Sequence, residues 1–281
     1  NPTEGIIGLD NYFSGCSKLT GVVNIDRLDT SEVTTMGSMF SGCSSLTSLD
    51  LSSFDTSKCT NMSGMFSDCS SLTSLDLSTF DFSNVSTYDG MLYNFAGNTL
   101  VIPDSFSNIN GNGATELTGN WISGDNAVRG TEIESASAGT YTKVESATLG
   151  TNVYGILYED GTLVIQKGNT PDPARGTVIS SGKASTYNTG SRAWGAGSGY
   201  ISTIKKVVFT VECSIDPTKA NDMFSSGYSS LEEIDNLFLI NLGNNPNLSN
   251  FWSNCSSLEE VDFSQLTFTG NISSIYHALY G

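Results

Sequence analysis

The chain has 281 residues, and 12 Lys and Arg residues against 29 Asp and Glu residues give a formal net charge of −17 at pH 7. This acidic balance argues against a nucleic-acid partner and against binding to an anionic membrane surface, because phosphate groups would repel the chain. Hydrophobic residues make up 38% of the sequence, which excludes disorder throughout, and no apolar run is long enough for direct membrane insertion.

The two ends of the chain lead to an expectation about processing. The sequence opens with residues 1–4, Asn-Pro-Thr-Glu, without an initiator Met or the basic and apolar regions of a signal peptide. It ends at Gly281, inside a copy of the repeat described below. We therefore expect a processed chain, with further protein after Gly281.

A repeat of about 26 residues dominates the first hundred residues. Residues 39–57, which begin Met-Phe-Ser-Gly-Cys-Ser-Ser-Leu, match the stretch from Met65 at an offset of 26, and an earlier copy contains residues 12–19 at an offset of 27. Further copies begin near Met91, Met223, Phe251 and Ala278. Self-similarity at a fixed spacing is typical of repeat architectures, in which neighbouring units bury each other's apolar side.

Each copy contains the pattern L-x-x-L-x-L, for example at Leu46, Leu49 and Leu51. In a short strand, Leu49 and Leu51 would point to one face and Asp50 to the other. In the segment that follows, Met62, Met65 and Phe66 have helical spacing. The predicted fold class is therefore α/β, a leucine-rich-repeat solenoid of about 26-residue strand-plus-short-helix repeats in two tandem blocks, with a β-hairpin-rich cap segment between them.

Residues 39–57 resemble the BspA-type leucine-rich repeat of bacterial surface proteins, in the subgroup whose units continue Asn-Val-Thr-Asn-Met. Here the continuation is Lys-Cys-Thr-Asn-Met at residues 58–62. The resemblance covers residues 5–105 strongly and residues 150–281 moderately. It implies an extracellular or cell-surface bacterial protein, since similar proteins are implicated in adhesion to host matrix proteins and to other cells.

The middle of the chain has a different composition. Asp160-Gly161 lies between two alternating apolar runs and predicts a β-hairpin, and residues 168–200 are rich in Gly, Ser, Thr and Pro, which predicts loops. We expect three domains: residues 1–130 form a first solenoid with a C-terminal cap, residues 131–212 form a β-rich cap or linker, and residues 213–281 form a second, truncated solenoid.

The register of the cysteines favours buried free thiols over a disulfide framework. Cys16, Cys43, Cys69 and Cys255 share one position of the repeat, and Cys59 stands where another copy has an apolar residue. A disulfide between Cys43 and Cys69 remains an alternative. The sequence has no C-x-x-C pair and a single histidine, so we expect no metal site and no cofactor.

Exposed strand positions are the candidate partner-binding residues. We expect Asn24 to stack with Asp50 and Asp76. In the second block, we expect Glu232, Glu233 and Asp235 to stack against Glu259, Glu260 and Asp262. Carboxylates on strands about 4.8 Å apart repel each other, and a basic partner or Ca²⁺ would relieve the repulsion. A merely solvated face is the alternative. The predicted partner-binding residues are Asp50, Asp76, Glu233, Asp235, Glu260 and Asp262.

Catalytic motifs are incomplete, so we do not expect an enzyme. The single His277 has no G-x-S-x-G motif to complete a Ser-His-Asp triad. Lys183 follows a glycine-rich stretch without the Ser or Thr that a phosphate-binding loop needs, and S-x-x-K at residues 202–205 lacks its companion motifs.

The sequence therefore predicts a secreted or cell-surface binding protein whose partner is a protein ligand such as host extracellular matrix. A structural spacer that holds another domain away from the cell wall is one alternative. A glycan-binding module around residues 187–200, with Trp194 as a contact residue, is another. The ligand and the oligomeric state stay open.

Overall fold

The computed structural model describes residues 6–108, 114–124, 126–130, 133, 136–145, 152–184, 194, 198–217, 220–225 and 227–279. It divides into two compact units, Asn1–Lys143 and Val144–Gly281, which are described one after the other. The finer division into three domains stays a prediction. Among the described residues, no helix is long and apolar enough to cross a membrane.

The predicted fold class, a leucine-rich-repeat solenoid of strands and helices, is wrong. The described residues form β-strands and short 3₁₀ turns without an α-helix, and the strands fall into three sheets of parallel and antiparallel pairs. The strands are β1 Ser74–Asp76, β2 Thr99–Ile102, β3 Asn120–Ser123, β4 Asn126–Arg129, β5 Gly139–Lys143, β6 Val153–Tyr158, β7 Thr162–Lys167, β8 Val178–Lys183, β9 Lys206–Phe209, β10 Cys213–Ser214, β11 Glu233–Asp235, β12 Ile240–Asn244 and β13 Thr267–Thr269. The 3₁₀ turns are Ile25–Arg27, Asp104–Asn108, Pro173–Arg175, Ser198–Thr203, Leu237–Leu239 and Phe263–Gln265.

Left-handed residues explain why the predicted helices do not form. In the second copy, Ser38 has φ 56° and Gly42 has φ 73°, and the matching Gly64 and Asp68 of the third copy have φ 62° and 58°. A left-handed residue every four positions interrupts a right-handed helix, and Gly and Asp tolerate this conformation better than most residues. The segments are therefore successive turns.

In these turns, every second backbone amide donates a hydrogen bond to the next copy. The amides of Met36, Ser38 and Phe40 donate to carbonyls 25 residues further on, at N···O distances of 2.9, 2.7 and 2.9 Å. The intervening amides close turns within the copy, such as Met39 N to Met36 O at 3.2 Å. Successive turns, rather than a helix, thus direct the apolar residues into the core. Backbone hydrogen bonds join the turns of one copy to those of the next.

The predicted strands form only in some copies. In unit 1, β1 of the third copy pairs with β2 in parallel register, and the sheet has the order β1-β2-β5-β3-β4. The corresponding residues 47–51 of the second copy are not a strand. Thr47 N donates to Thr20 O at 3.2 Å, and Asp50 turns the chain by accepting a hydrogen bond from Ser52 N.

Aromatic rings from successive copies stack in the core of unit 1. The ring centroids of Phe13 and Phe40 are 5.3 Å apart, and those of Phe40 and Phe66 are 6.0 Å apart with planes 3° from parallel. Phe40 and Phe66 are fully buried, as are Met36 and Met62. Burial of one such side chain stabilises the fold by about 1.5–3 kcal/mol, so the register of the copies is fixed mainly here.

Unit 2 contains two sheets in the described residues, with the orders β11-β9-β7-β6-β8 and β10-β12-β13. The hairpin predicted at Asp160-Gly161 is confirmed, because β6 and β7 are antiparallel neighbours. Gly161 adopts φ 91°, and Asp160 Oδ1 accepts a hydrogen bond from Thr162 N at 2.8 Å. Phe209 and Phe224 pack at 6.5 Å in the core of this unit.

Candidate binding grooves

Two open grooves on unit 1 are candidate binding sites. The first groove has a volume of about 550 Å³ and is lined by residues 20–23 and 47–50 together with Ser74. It therefore crosses three copies of the repeat. Thr47 Oγ1 donates to the carbonyl of Thr20 at 3.2 Å, which ties two of these copies together beneath the groove.

The second groove is lined by residues 26–31 with Ser53 and Asp55, and has a volume of about 620 Å³. It carries the carboxylates of Asp26, Asp29 and Asp55 and the guanidinium of Arg27. The lining therefore has more carboxylates than cationic groups and carries a net negative charge. Both volumes lie in the range of ligand-binding clefts, although the grooves are open and polar rather than enclosed and apolar.

A buried threonine positions Asp55 at the second groove. The backbone amide of Asp55 donates to Thr30 Oγ1 at 2.7 Å, and Thr30 is almost fully buried at the lining of the groove. The next copy repeats this contact, since the amide of Asp81 donates to the buried Thr56 Oγ1 at 2.7 Å. The hydrogen bond that positions Asp55 at the groove is therefore a recurring contact between neighbouring copies of the repeat.

Three groove aspartates are held ionised by serines two residues further on. Asp29 accepts hydrogen bonds from Ser31, Asp50 from Ser52 and Asp55 from Ser57, with the amides 3.2, 3.0 and 2.9 Å away. Hydrogen bonds from the side chain and the amide of the serine lower the pKa of each carboxyl below its ordinary value. The grooves therefore present fixed negative charge at neutral pH.

The residues predicted to stack in unit 1 lie in three different local settings. Asp50 lines the first groove, whereas Asp76 lies on β1 outside the lining and accepts a hydrogen bond from Ser78 N at 2.9 Å. Asn24 adopts φ 54° just before the 3₁₀ turn Ile25–Arg27. A left-handed residue at a turn cannot continue a strand, so no strand runs through Asn24, and the stacking of its side chain with these aspartates stays a prediction.

In unit 2, Glu233 and Asp235 share a cation that the sequence analysis missed. Lys206 Nζ lies 2.9 Å from Glu233 Oε2 and 2.7 Å from Asp235 Oδ2. Lys206 is on β9, in register with Glu233 on β11. The expected repulsion is therefore relieved within the chain. The spacing of 27 residues between Lys206 and Glu233, equal to a repeat length, is the signal that could have shown this pair.

The pKa values of these groups reflect burial and pairing together. Burial favours a lower pKa for Lys206, but hydrogen bonds and charge from Asp235 and Glu233 outweigh it, so the pKa is raised. The hydrogen bond from Lys206 lowers the pKa of Glu233. Burial raises the pKa of Asp235, against the opposing effect of its hydrogen bond with Lys206.

Glu260 and Asp262 do not continue this sheet, because β11 is its edge strand. Asp262 Oδ1 accepts a hydrogen bond from Ser264 N at 2.8 Å and caps the 3₁₀ turn Phe263–Gln265. Both carboxylates line a small cavity of about 50 Å³ beside Trp252. This cavity is too small for a ligand of ordinary size.

The residues of the alternative site are only partly described. Residues 187–193 and 195–197 lie outside the described residues, but Trp194 is 2% exposed and packs on Phe209 and Phe224 at centroid distances of 5.3 and 6.1 Å. The ring of Trp194 is therefore not available to stack on a sugar. Within the described ranges, no group of three His, Cys, Asp or Glu side chains is placed to hold a metal ion.

Comparison with known proteins relates the first copies to a bacterial family. A family model described as "Mycoplasma protein of unknown function, DUF285" matches residues 3–102. The matched residues cover less than half of the chain and include both grooves. The finer BspA resemblance is not confirmed. No curated protein and no solved structure gave a significant match.

Proposed function

We propose that the chain is a binding protein of the bacterial surface or exterior, and that the first and second grooves contact a basic surface on a protein ligand. The observation that carries this proposal is the exposure of the ionised Asp29, Asp50 and Asp55 on two open grooves of unit 1. Adhesion to host matrix proteins or to other cells is the particular form of binding that the sequence resemblance supports.

Electrostatics supports a basic partner over a neutral one. The chain carries a net charge of −17, and the lowered pKa values keep the groove aspartates charged at neutral pH. Such a field attracts a basic surface at long range and speeds association, and the effect weakens as salt screens the charges.

A structural spacer is the second candidate function, and a specific observation favours it. Asp76 and Asp81 make the same contacts with Ser78 and Ser83, at 2.9 and 2.8 Å, in a copy where they line neither groove. The repeated aspartates thus have a role in folding that needs no ligand. Binding measurements distinguish the two candidates.

We would measure binding of the purified chain to immobilised fibronectin, fibrinogen, laminin and collagen at about 50 and about 150 mM salt. The test variant is Asp29→Asn with Asp55→Asn, which removes two charges but keeps an oxygen that accepts the serine hydrogen bond. The matched control is Asp81→Asn with Asp160→Asn, since both aspartates also accept from an amide two residues on, at 2.8 Å.

We expect saturable binding to at least one of these proteins, weaker at the higher salt concentration and weakened further in the groove variant but not in the control. Equal binding by the groove variant would exclude the second groove as the contact surface. Absence of binding to all four proteins would favour the spacer.

A further inference from the structure

The first groove exposes apolar side chains beside its carboxylate. Val23 lines this groove and is 86% exposed, at the repeat position that Asp50 and Asp76 occupy, likewise exposed, in the next two copies. Exposure is therefore a property of this repeat position. Leu49 also lines the groove and is only half-buried, although it lies between two described copies and the matching Leu75 is 1% exposed. The groove thus has apolar surface at a place where neighbouring copies are present on both sides.

The main-chain groups along this groove are largely unpaired. The amide and the hydroxyl of Thr47 both donate to the carbonyl of Thr20, at 3.2 Å. Within the described ranges, no further hydrogen bond joins residues 21–23 to residues 48–50, and none joins residues 48–50 to β1. All three segments are described, so these gaps do not arise from an end of the chain. Unpaired N–H and C=O groups on exposed backbone can form main-chain hydrogen bonds with another extended chain.

Asp50 supplies the charge of the first groove. It is the only charged side chain among the described residues that line this groove. Hydrogen bonds from Ser52 lower the pKa of Asp50, so the carboxylate is ionised at neutral pH. No lysine or arginine in the described part of the chain forms an ion pair with Asp50, whereas the second groove contains Arg27. The first groove therefore has an anion without a cation of its own.

We propose that the first groove binds an extended segment of a protein ligand through one lysine or arginine of that segment. The methylene groups of this side chain lie on Val23 and Leu49, its cation pairs with Asp50, and the main chain of the segment forms hydrogen bonds with residues 48–50. The proposal rests on the proposed function, because it states which part of a protein ligand this groove takes.

The neighbouring positions of Val23 and Asp50 favour a long basic side chain over other occupants. The two residues match in adjacent copies, and chain segments that run side by side in this way lie about 4.8 Å apart. Lys and Arg bury their methylene groups against apolar surface and keep the charged end free for a partner. A neutral apolar segment would cover the Asp50 carboxylate without a partner, and a small inorganic cation would leave Val23 and Leu49 uncovered.

The experiment is fluorescence anisotropy of a rhodamine-labelled peptide, Gly-Thr-Val-Arg-Val-Thr-Gly, titrated with the full chain up to about 1 mM at about 50 mM salt. We expect saturable binding. Asp50→Asn and Val23→Ser are each expected to weaken it about threefold or more. The matched controls are Asp81→Asn, which alters the same kind of serine contact outside both grooves, and Ile179→Ser, which alters an exposed apolar side chain in unit 2.

A double-mutant cycle tests whether the arginine contacts Asp50. Replacing Arg by Gln in the peptide is expected to weaken binding to the wild-type chain about threefold or more, and to have little effect on binding to the Asp50→Asn chain. Two further peptides are N-methylated at alternate residues, one in each phase. We expect one of them to bind more weakly than the parent peptide, because its main-chain donors face the groove.

Four results would overturn the proposal. Absence of peptide binding at every soluble concentration excludes the extended segment, and binding of the folded matrix proteins under the same conditions would leave the proposed function intact. Equal effects of Asp50→Asn and Asp81→Asn would show that net charge alone is responsible. Binding unchanged by Val23→Ser excludes the apolar contact. Losses from the Arg-to-Gln and Asp50→Asn changes that simply add place the arginine elsewhere.

Discussion

The thiol sulfur of Cys69 lies 3.2 Å from the carbonyl oxygen of Phe40, 29 residues earlier in the chain. Cys43 makes the same contact with Phe13 at 3.1 Å, and Cys255 contacts Phe224 at 2.8 Å in unit 2. Cys43, Cys69 and Cys255 all carry free thiols. The repeated cysteine is therefore a small donor that joins neighbouring copies, buried at Cys43 and Cys69 and half-buried at Cys255, and the alternative disulfide between Cys43 and Cys69 is not present.

Thiol reactivity should distinguish the buried cysteines from the exposed one. Burial raises the pKa of Cys59 to about 11 and the pKa values of Cys69 and Cys255 to about 12, whereas Cys16 is exposed. We expect a thiol reagent at pH 8 to modify Cys16 rapidly in the folded chain, the half-buried Cys255 slowly, and Cys59 and Cys69 only after denaturation. Peptide mass mapping after a time course measures this, and rapid modification of Cys69 would contradict the structure.

Two substitutions of Phe66 test the stacked core of unit 1. Phe66→Ala leaves a cavity beneath the ring of Phe40 and is expected to reduce the free energy of unfolding by about 3–5 kcal/mol. Phe66→Leu is expected to cost only about 1–1.5 kcal/mol, because the next copy has the fully buried Leu92 at the same position. Urea unfolding followed by circular dichroism measures both changes. Equal losses for the two variants would show that the register of the copies is not as described.

The sequence predicts the register of the repeat and much of its core. Phe40 and Phe66 share a repeat position and are both fully buried. The helical assignment was wrong because successive turns also bring residues at i, i+3 and i+4 to one side. Asn11, Gly64 and Gly90 stand at one position of three copies and are all left-handed, so that their residue types were the available signal against a helix.

The sequence predicts the candidate sites only in part. Which side chains pair depends on which copies form strands, and the repeat pattern does not show this. Asp50 is exposed but lies outside a strand, and the alternation of residues along a strand does not predict its hydrogen bond with Ser52. The pattern Asp-x-Ser is a known turn motif and gives this contact from sequence alone. The sequence pattern does not indicate the role of Lys206. This residue lies on a strand that pairs with β11 in parallel, but the segment around it lacks the leucine pattern by which the other copies are recognised.

The serine contacts predict acid sensitivity in unit 1. Asp29, Asp50 and Asp55 have pKa values below the ordinary 3.8 in the folded state. A carboxyl with a lowered folded pKa contributes stability that is present above the unfolded pKa and is lost as the pH falls through the folded pKa. We therefore expect the melting temperature of unit 1 to fall as the pH drops below 3.8.

The aspartate-to-asparagine variants isolate this contribution. Asp50→Asn keeps an acceptor for Ser52 but does not titrate, so the acid decline should become shallower than in wild type. Differential scanning calorimetry between neutral pH and about pH 2 measures the two slopes. An unchanged slope would mean that Asp50 has the same pKa in the folded and unfolded chain.

The cluster around Lys206 predicts different losses of stability for two similar charge reversals in unit 2. Glu233→Lys places a second ammonium beside Lys206, which lies 2.9 Å from Glu233. Because Glu233 is 59% exposed, we expect a loss of only about 0.5–1 kcal/mol in the free energy of unfolding. Glu260→Lys lies off the strand and is expected to leave stability within about 0.5 kcal/mol of wild type.

Lys206→Met gives the larger change, because it leaves Asp235 half-buried without its cation at 2.7 Å. We expect a loss of about 1–2 kcal/mol at neutral pH, less than for a fully buried pair because the Lys206 side chain is 30% exposed. Burial then favours the protonated form of Asp235 more strongly, so this loss should shrink as the pH falls toward the raised pKa of Asp235. Urea unfolding at neutral and acidic pH measures it, and a loss that is the same at both would show that Asp235 does not depend on Lys206 for its charge.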